Sequence, residues 1–173
     1  MTDALCSGHG TQVMALVSAI VAREANLLDD RDWQNWLGMY TEDCEYWVPT
    51  WVDEDTLASD PRSQLSHIYY CGKAGLEDRV MRITGGRSAA SEPRRRTSHQ
   101  LSNHQIIEAD DASIELRCAF CCHSYDPHTT RTDVFFGHVH YLIVNRNGEW
   151  LIGRKKIVLL NDTLPAAVDI YSL

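Results

Sequence analysis

The sequence predicts an α+β fold, with helices first and a long antiparallel sheet after them. Two observations carry this. Apolar residues at Val13, Leu16, Val17, Ile20, Val21, Leu27 and Leu28 follow the helical period. From Thr97 onward the pattern becomes four long strand-like segments separated by turn residues. Helices followed by a meander place the helices against one face of a curved sheet.

The first helix has Thr11 available as an N-cap, and residues 1–10 before it are expected to form a flexible arm. A second helix follows "DDRD", where Asp30 or Asp32 can cap, and it aligns Trp33, Trp36, Leu37 and Tyr40 in one stripe. "CEYWVPTW" is aromatic and β-branched and reads as a short strand. Residues 52–96 mix turn-like, helical and strand-like fragments, and no element is assigned there beyond an irregular excursion. The four segments "TSHQLSNHQIIEA", "SIELRCAFCCHSY", "TDVFFGHVHYLIV" and "EWLIGRKKIVLLN" are joined by "EADDAS", "DPHTTR" and "NRNG". Asn and Gly tolerate positive φ, so the last of these suits a tight hairpin.

A chain of 173 residues with 44% apolar and 23% charged residues fits a single domain, residues 1–173, large enough for its own core. The net charge of −8 argues against nucleic acid, whose binding draws on clustered Lys and Arg. The N-terminus has no basic region before its apolar stretch, which is short and interrupted by Arg23 and Glu24, so neither a signal peptide nor a membrane span is expected. Six cysteines at irregular spacing read as reduced, mostly buried thiols, and the cytoplasm is the expected compartment.

Candidate chemistry is sparse. In "CAFCCHS", strand alternation puts Cys118 and Cys122 on one face and Cys121 and His123 on the other, which splits any metal knuckle. Cys121 and His123 make half of a Rieske ligand pattern, but no cysteine follows Cys122 to supply the other half. His99 and His104, five apart, point to opposite faces of a regular strand unless a bulge intervenes. His138 and His140 share a face and could meet His123 or Glu115, although satisfied sheet histidines are the plainer reading. The Trp33, Trp36, Trp47 and Trp51 group reads as core. Arg94, Arg95 and Arg96 form the one dense basic run, either a solvated loop or a clamp for a partner's carboxylates. No nucleotide loop or hydrolase elbow is present.

The last strand raises a question of its own. Lys156, Val158 and Leu160 share one face of "RKKIVLLND" while Lys155, Ile157 and Leu159 share the other, so both faces are apolar. One face packs on the chain's own helices, and something must cover the second.

"LLDDRDWQNWLGMYTEDCEYWVP", "LSHIYY", "LEDRVMRI", "RTSHQLSN", "GRKKIVLLND" and "VDIYSL" occur in this order from about residue 22 onward. Together they resemble the small (β) subunit of aromatic-ring-hydroxylating dioxygenases, closest to the benzoate, toluate and anthranilate branch. The resemblance implies a cystatin-like cone of the nuclear-transport-factor superfamily and an assembly of three large (α) and three small subunits. It implies that a Rieske [2Fe–2S] cluster, a mononuclear iron and the aromatic-acid pocket belong to the large subunit, fed with electrons from NADH through a reductase. The small chain would then be structural, with no catalytic, cofactor or metal residue of its own. Sister or large subunits would cover the second face of the last strand, with Arg154, Lys155 and Lys156 pairing with carboxylates at the edges of the contact and Asn161 and Asp162 fixing the turn after it. The alternatives are a stand-alone enzyme of the same superfamily (a dehydratase, isomerase or hydrolase) using His123, His138 or His140 in the cone, and a binding module for a hydrophobic ligand.

Overall fold

A computed structural model describes residues 3–85, 94–161, 163–164 and 166–173, with side chains from Gly10 onward. Helix α1 spans Asp3–Asp30, so the backbone of Asp3–Gly10, expected as an arm, is helical and Thr11 lies within the helix instead of capping it. With no proline to interrupt it, extending an existing helix is easier than starting one. Val17, Val21, Glu24 and Leu28 form its buried stripe. The helix ends where Arg31 takes φ 57°, and the amides of Arg31 and Asp32 bond back to the carbonyls of Leu28 and Leu27 at 3.1 and 2.9 Å. This is a left-handed cap built without glycine. Asp32 then caps α2, Trp33–Gly38, by accepting from the Asn35 amide. Tyr40, expected on that helix's stripe, opens strand β1, Tyr40–Pro49.

Within the stretch left unassigned by the sequence lie β2, Ser66–Cys71, and helix α3, Lys73–Thr84. The predicted meander follows as β3, Arg96–Ala109; β4, Ser113–Tyr125; β5, Thr132–Arg146; and β6, Glu149–Leu159. The β5–β6 turn is Asn147-Gly148, both at positive φ, as a two-residue hairpin loop requires. The six strands lie in the order β2-β1-β6-β5-β4-β3, all antiparallel except β1 with β6.

The concave face of the sheet wraps around α1, α2 and α3, and its core joins Val17, Trp36, Tyr46, Leu76, Leu116, Phe135 and Ile157. The C-terminal segment closes it, with Ile170–Ser172 in a 3-10 turn and both Ile170 and Leu173 in the core. Asp169 caps that turn and receives the Arg79 guanidinium from α3.

Two strand irregularities decide which side chains face inward. In β3 the register slips between Ser102 and Gln105, with Asn103 at φ 53°. One extra residue there lets His99 and His104 both turn toward α1, despite their odd spacing. His99 Nδ1 lies 2.6 Å from Asp29 Oδ1, and His104 Nδ1 lies 3.1 Å from Ser18 Oγ. Both rings are therefore internal ties between sheet and helix. The second slip, opposite Leu142 and Ile143, makes Ile152 and Lys155 inward-facing although they are three apart.

Candidate functional site

At the centre of the cone the core side chains close around a buried ion pair. Lys155 is 2% exposed and Glu24 1% exposed. The Lys155 ammonium donates to Glu24 Oε1 and Oε2 at 2.9 and 3.0 Å and to the Leu173 carbonyl at 3.1 Å. Trp36 Nε1 and the Tyr40 hydroxyl donate to the same carboxylate at 2.8 and 2.9 Å, and the Tyr141 hydroxyl at 3.2 Å. The Tyr46 and Tyr141 rings stand 5.6 and 5.7 Å from the ammonium. Every face of the ion pair thus meets a protein group, as a buried charge requires.

Burial pushes the Glu24 carboxyl upward, but Lys155 and the hydrogen bonds from Lys155, Trp36 and Tyr40 outweigh it and hold the group below its ordinary range. Burial, reinforced by the Glu24 charge, drives the Tyr40 and Tyr141 hydroxyls well above theirs. These phenols stay protonated and serve as donors. The Glu24 carboxylate is thereby held charged and the two phenols neutral near neutral pH.

The outer face of the sheet differs. Across β4, β5, β6 and β1, Arg117, His140, Lys156 and Trp47 stand directly opposite one another in register. Lys156 Nζ rests 4.4 Å from the Trp47 ring centroid. The neighbouring row contains Glu115 and Arg154, joined at 3.0 Å, and Glu45. Burial and the Arg117 charge hold His138 and His140 below the usual histidine range. A cavity of about 450 Å³ opens beside this row between Trp47, His140, Arg154 and Lys156, with Ser59 and Pro61 from the 50–65 loop on its rim.

The structure separates the sequence-predicted residues. Lys155, expected at the edge of a subunit contact, faces inward, because the slip in β6 puts it on the core side where Glu24 neutralises it. Arg95, expected as a clamp on a partner, already binds Asp133 at 2.5 Å and lies 3.8 Å from Asp126 in its own chain. Arg94 and Arg96 are exposed, and Lys156 and Arg154 lie on the outer face. Asn161 ties the turn after β6, accepting from the Phe136 amide at 3.0 Å and donating to the Val134 carbonyl at 2.9 Å. Asp162 lies outside the described residues.

The second face of β6 was expected to need other subunits along its length. Val158 is only 9% exposed within this single chain. The 50–65 loop folds beside it, with the Trp51 indole donating to the Leu159 carbonyl at 2.8 Å and Ala58 buried. Leu160 and Phe136, 41% and 43% exposed, are what remain open at that end.

Cys118 and Cys122 do point inward and Cys121 and His123 outward, as alternation required. Burial pushes both inward thiols up to about 12. His123, His138 and His140 all lie on the outer side of the sheet, so the cone histidines of the stand-alone enzyme are not in the cone. Among the described residues no three His, Cys, Asp or Glu side chains converge as a metal centre. Trp36 and Trp47 are buried, Trp33 is partly so, and Trp51 is exposed. Sequence reading missed Glu24, whose signal was an acid inside an apolar helical stripe, and Arg117, whose role depends on cross-strand register.

Residues 23–166 match the model of the ring hydroxylating beta subunit family. The chain is 41% identical over 155 residues to the 2-halobenzoate 1,2-dioxygenase small subunit of Burkholderia cepacia, covering 90% of this chain and 93% of that one. It is 43% identical over 150 residues to the toluate 1,2-dioxygenase subunit beta of Pseudomonas putida, covering 86% and 91%. The crystal structure of the beta subunit of benzoate 1,2-dioxygenase from Burkholderia mallei superposes with a TM-score of 0.76 at 36% identity, over 92% of this chain and 96% of that one. The cone of helices inside a curved six-stranded sheet, its interior closed by Glu24 and Lys155, is therefore that of a small subunit, and the chain belongs to the ring-hydroxylating dioxygenase β-subunit family.

Proposed function

We propose that this chain is the non-catalytic small subunit of a multicomponent dioxygenase that adds both atoms of O2 to a benzoate-like aromatic acid, and that it works in the cytoplasm. Three copies join three large subunits, and the Rieske [2Fe–2S] cluster and mononuclear iron reside in the large chains. The relatives named for halobenzoate and toluate dioxygenases support the substrate class. The observation that carries the structural role is the centre of the cone, where the Glu24 carboxylate is taken up by Lys155, Trp36, Tyr40 and Tyr141 of the same chain. Among the described residues no helix is long and apolar enough to cross a membrane, and the five described cysteines are free thiols, which agrees with a reducing compartment. Arg94, Arg96, Arg154 and Lys156 remain the proposed contacts with other subunits.

Co-expression with the large chain tests this reading. A six-chain native mass is expected, with all iron on the large chain and ring-dihydroxylating activity present in the assembly alone. Turnover of an aromatic acid by the small chain on its own would refute it.

A further inference from the structure

A cavity of about 190 Å³ opens where the end of α1, the start of α2, the end of α3, the approach to β3 and the C-terminal turn meet. Trp33, Ile83 and Tyr171 give it apolar walls. Trp33 and Ile83 pack against the core, and Tyr171 is buried. An edge-to-face contact with Trp36, ring centroids 6.3 Å apart, fixes the Trp33 ring further. Arg31, Arg94 and Arg95 supply the polar side. Arg95 is neutralised by Asp133. Arg31 donates through Nη2 to the Arg95 carbonyl, which holds its guanidinium in place and leaves its other N–H groups for an anion. Among the described residues neither Arg31 nor Arg94 has a carboxylate at ion-pair distance, and no acidic side chain lines the cavity. Asp32 and Glu77 belong to the neighbouring groove. The negative pole of α3 also ends here, but its Val80 and Met81 carbonyls are taken by the Thr84 hydroxyl and the Gly85 amide, each at 2.9 Å. A chain with a net charge of −8 therefore keeps two guanidinium charges beside aromatic walls.

We infer that this cavity binds a single-ring aromatic carboxylate, with the ring between Trp33, Ile83 and Tyr171 and the carboxylate on Arg31, while Arg94 closes the rim. Apolar cavities of about 150 Å³ accept benzene, so the space here takes a ring and a carboxyl group together. A guanidinium matches a carboxylate through two parallel N–H bonds, and stacked aromatic walls match the ring. Inorganic phosphate would meet the same guanidiniums but leave Trp33, Ile83 and Tyr171 without a partner. Arg94 is exposed and is also a proposed subunit contact, and a guanidinium has donors enough for both. The inference rests on the cavity and goes beyond the small-subunit reading without depending on it.

The test titrates the full-length small chain, without any large chain, with benzoate, its uncharged counterpart benzamide, and inorganic phosphate. Benzoate is expected to bind once per chain with a Kd of about 1 mM or below, and benzamide and phosphate at least about tenfold more weakly. In amide and indole NMR spectra benzoate should shift the Trp33 indole signal and leave that of Trp150, at the start of β6, in place. Arg31→Gln and Arg94→Gln should each weaken benzoate at least about tenfold, and the remote Arg146→Gln should bind as wild type does. The ligand series and the indole signals use the wild-type chain, so they decide the matter even if Arg31→Gln fails to fold. No saturable benzoate binding up to about 10 mM would overturn the inference. So would benzamide binding as tightly as benzoate, which leaves an apolar pocket with no use for the guanidiniums, or phosphate binding as tightly, which leaves an anion site with no use for the aromatic walls. A shift confined to Trp47 or Trp150 would place the ligand elsewhere and overturn it too. None of these outcomes touches assembly with a large chain, so the small-subunit reading stands or falls by its own experiment.

Discussion

Lys155 and Glu24, 131 residues apart in sequence, meet in the centre of the cone through two hydrogen bonds of 2.9 and 3.0 Å from one ammonium to both carboxylate oxygens. The pair joins the first helix to the last strand. Removing one partner leaves a buried charge alone, and Lys155→Ala should cost about 3–5 kcal/mol in urea unfolding. The double variant Glu24→Leu/Lys155→Met should recover part of that loss. Recovery stays partial because Trp36, Tyr40 and Tyr141 lose their acceptor.

The same pair sets an acid limit. Glu24 has a folded-state value below its unfolded value of about 4.3. Its contribution is therefore complete above the unfolded value and is lost as pH falls through the folded one. Other carboxylates, including Asp29 and Asp133, are lowered too and titrate over the same window. The discriminating measurement is the difference between wild type and Glu24→Gln: the stability gap at pH 7 should narrow steadily below about pH 4.

Gly137 of β5 stands opposite Leu159 of β6. A methyl group there would lie 2.0 Å from the Val158 carbonyl oxygen, against backbone that cannot rotate aside. Gly137→Ala should destabilise the chain by about 3 kcal/mol or more, measured by chemical denaturation. A change below about 1 kcal/mol would contradict this packing.

Thiol accessibility checks the inward and outward assignment of the cysteines. Cys71 is exposed, whereas Cys44, Cys118 and Cys122 are buried, with thiols pushed up by burial to about 11, 12 and 12. In the native protein at pH 8 a thiol reagent should label Cys71 and spare those three, as resolved by peptide mass analysis. In urea all six cysteines of the chain should react.

The meander was legible because its signals are local. Asn147-Gly148 names its own turn, and the alternation in Ser113–Tyr125 settles which cysteines face inward. What escaped depends on single-residue slips. Counted back from the Asn147-Gly148 turn without irregularity, His140 would oppose Lys155. The slip beside Leu142 moves it to Lys156, creating the cationic row and sending Lys155 into the core. Likewise, only the bulge near Asn103 reconciles the five-residue spacing of His99 and His104 with a shared face. Ser66–Cys71 and Lys73–Thr84 were hidden for another reason. The burial pattern of β2 barely alternates and α3 buries only Leu76 and Val80, so the tertiary setting, more than any periodicity, fixes both.

The parallel seam between β1 and β6 has a consequence for biosynthesis. Residues 40–49 leave the ribosome long before 149–159, yet each is the other's neighbour in the middle of the sheet. A nascent chain must therefore wait with β1 half-bonded and Glu24 without its counter-ion until the final strand is translated. Such late closure makes folding slow and the waiting intermediate prone to stick to its neighbours. Early capture by a chaperone should consequently raise the yield of this polypeptide more than a lower growth temperature after synthesis.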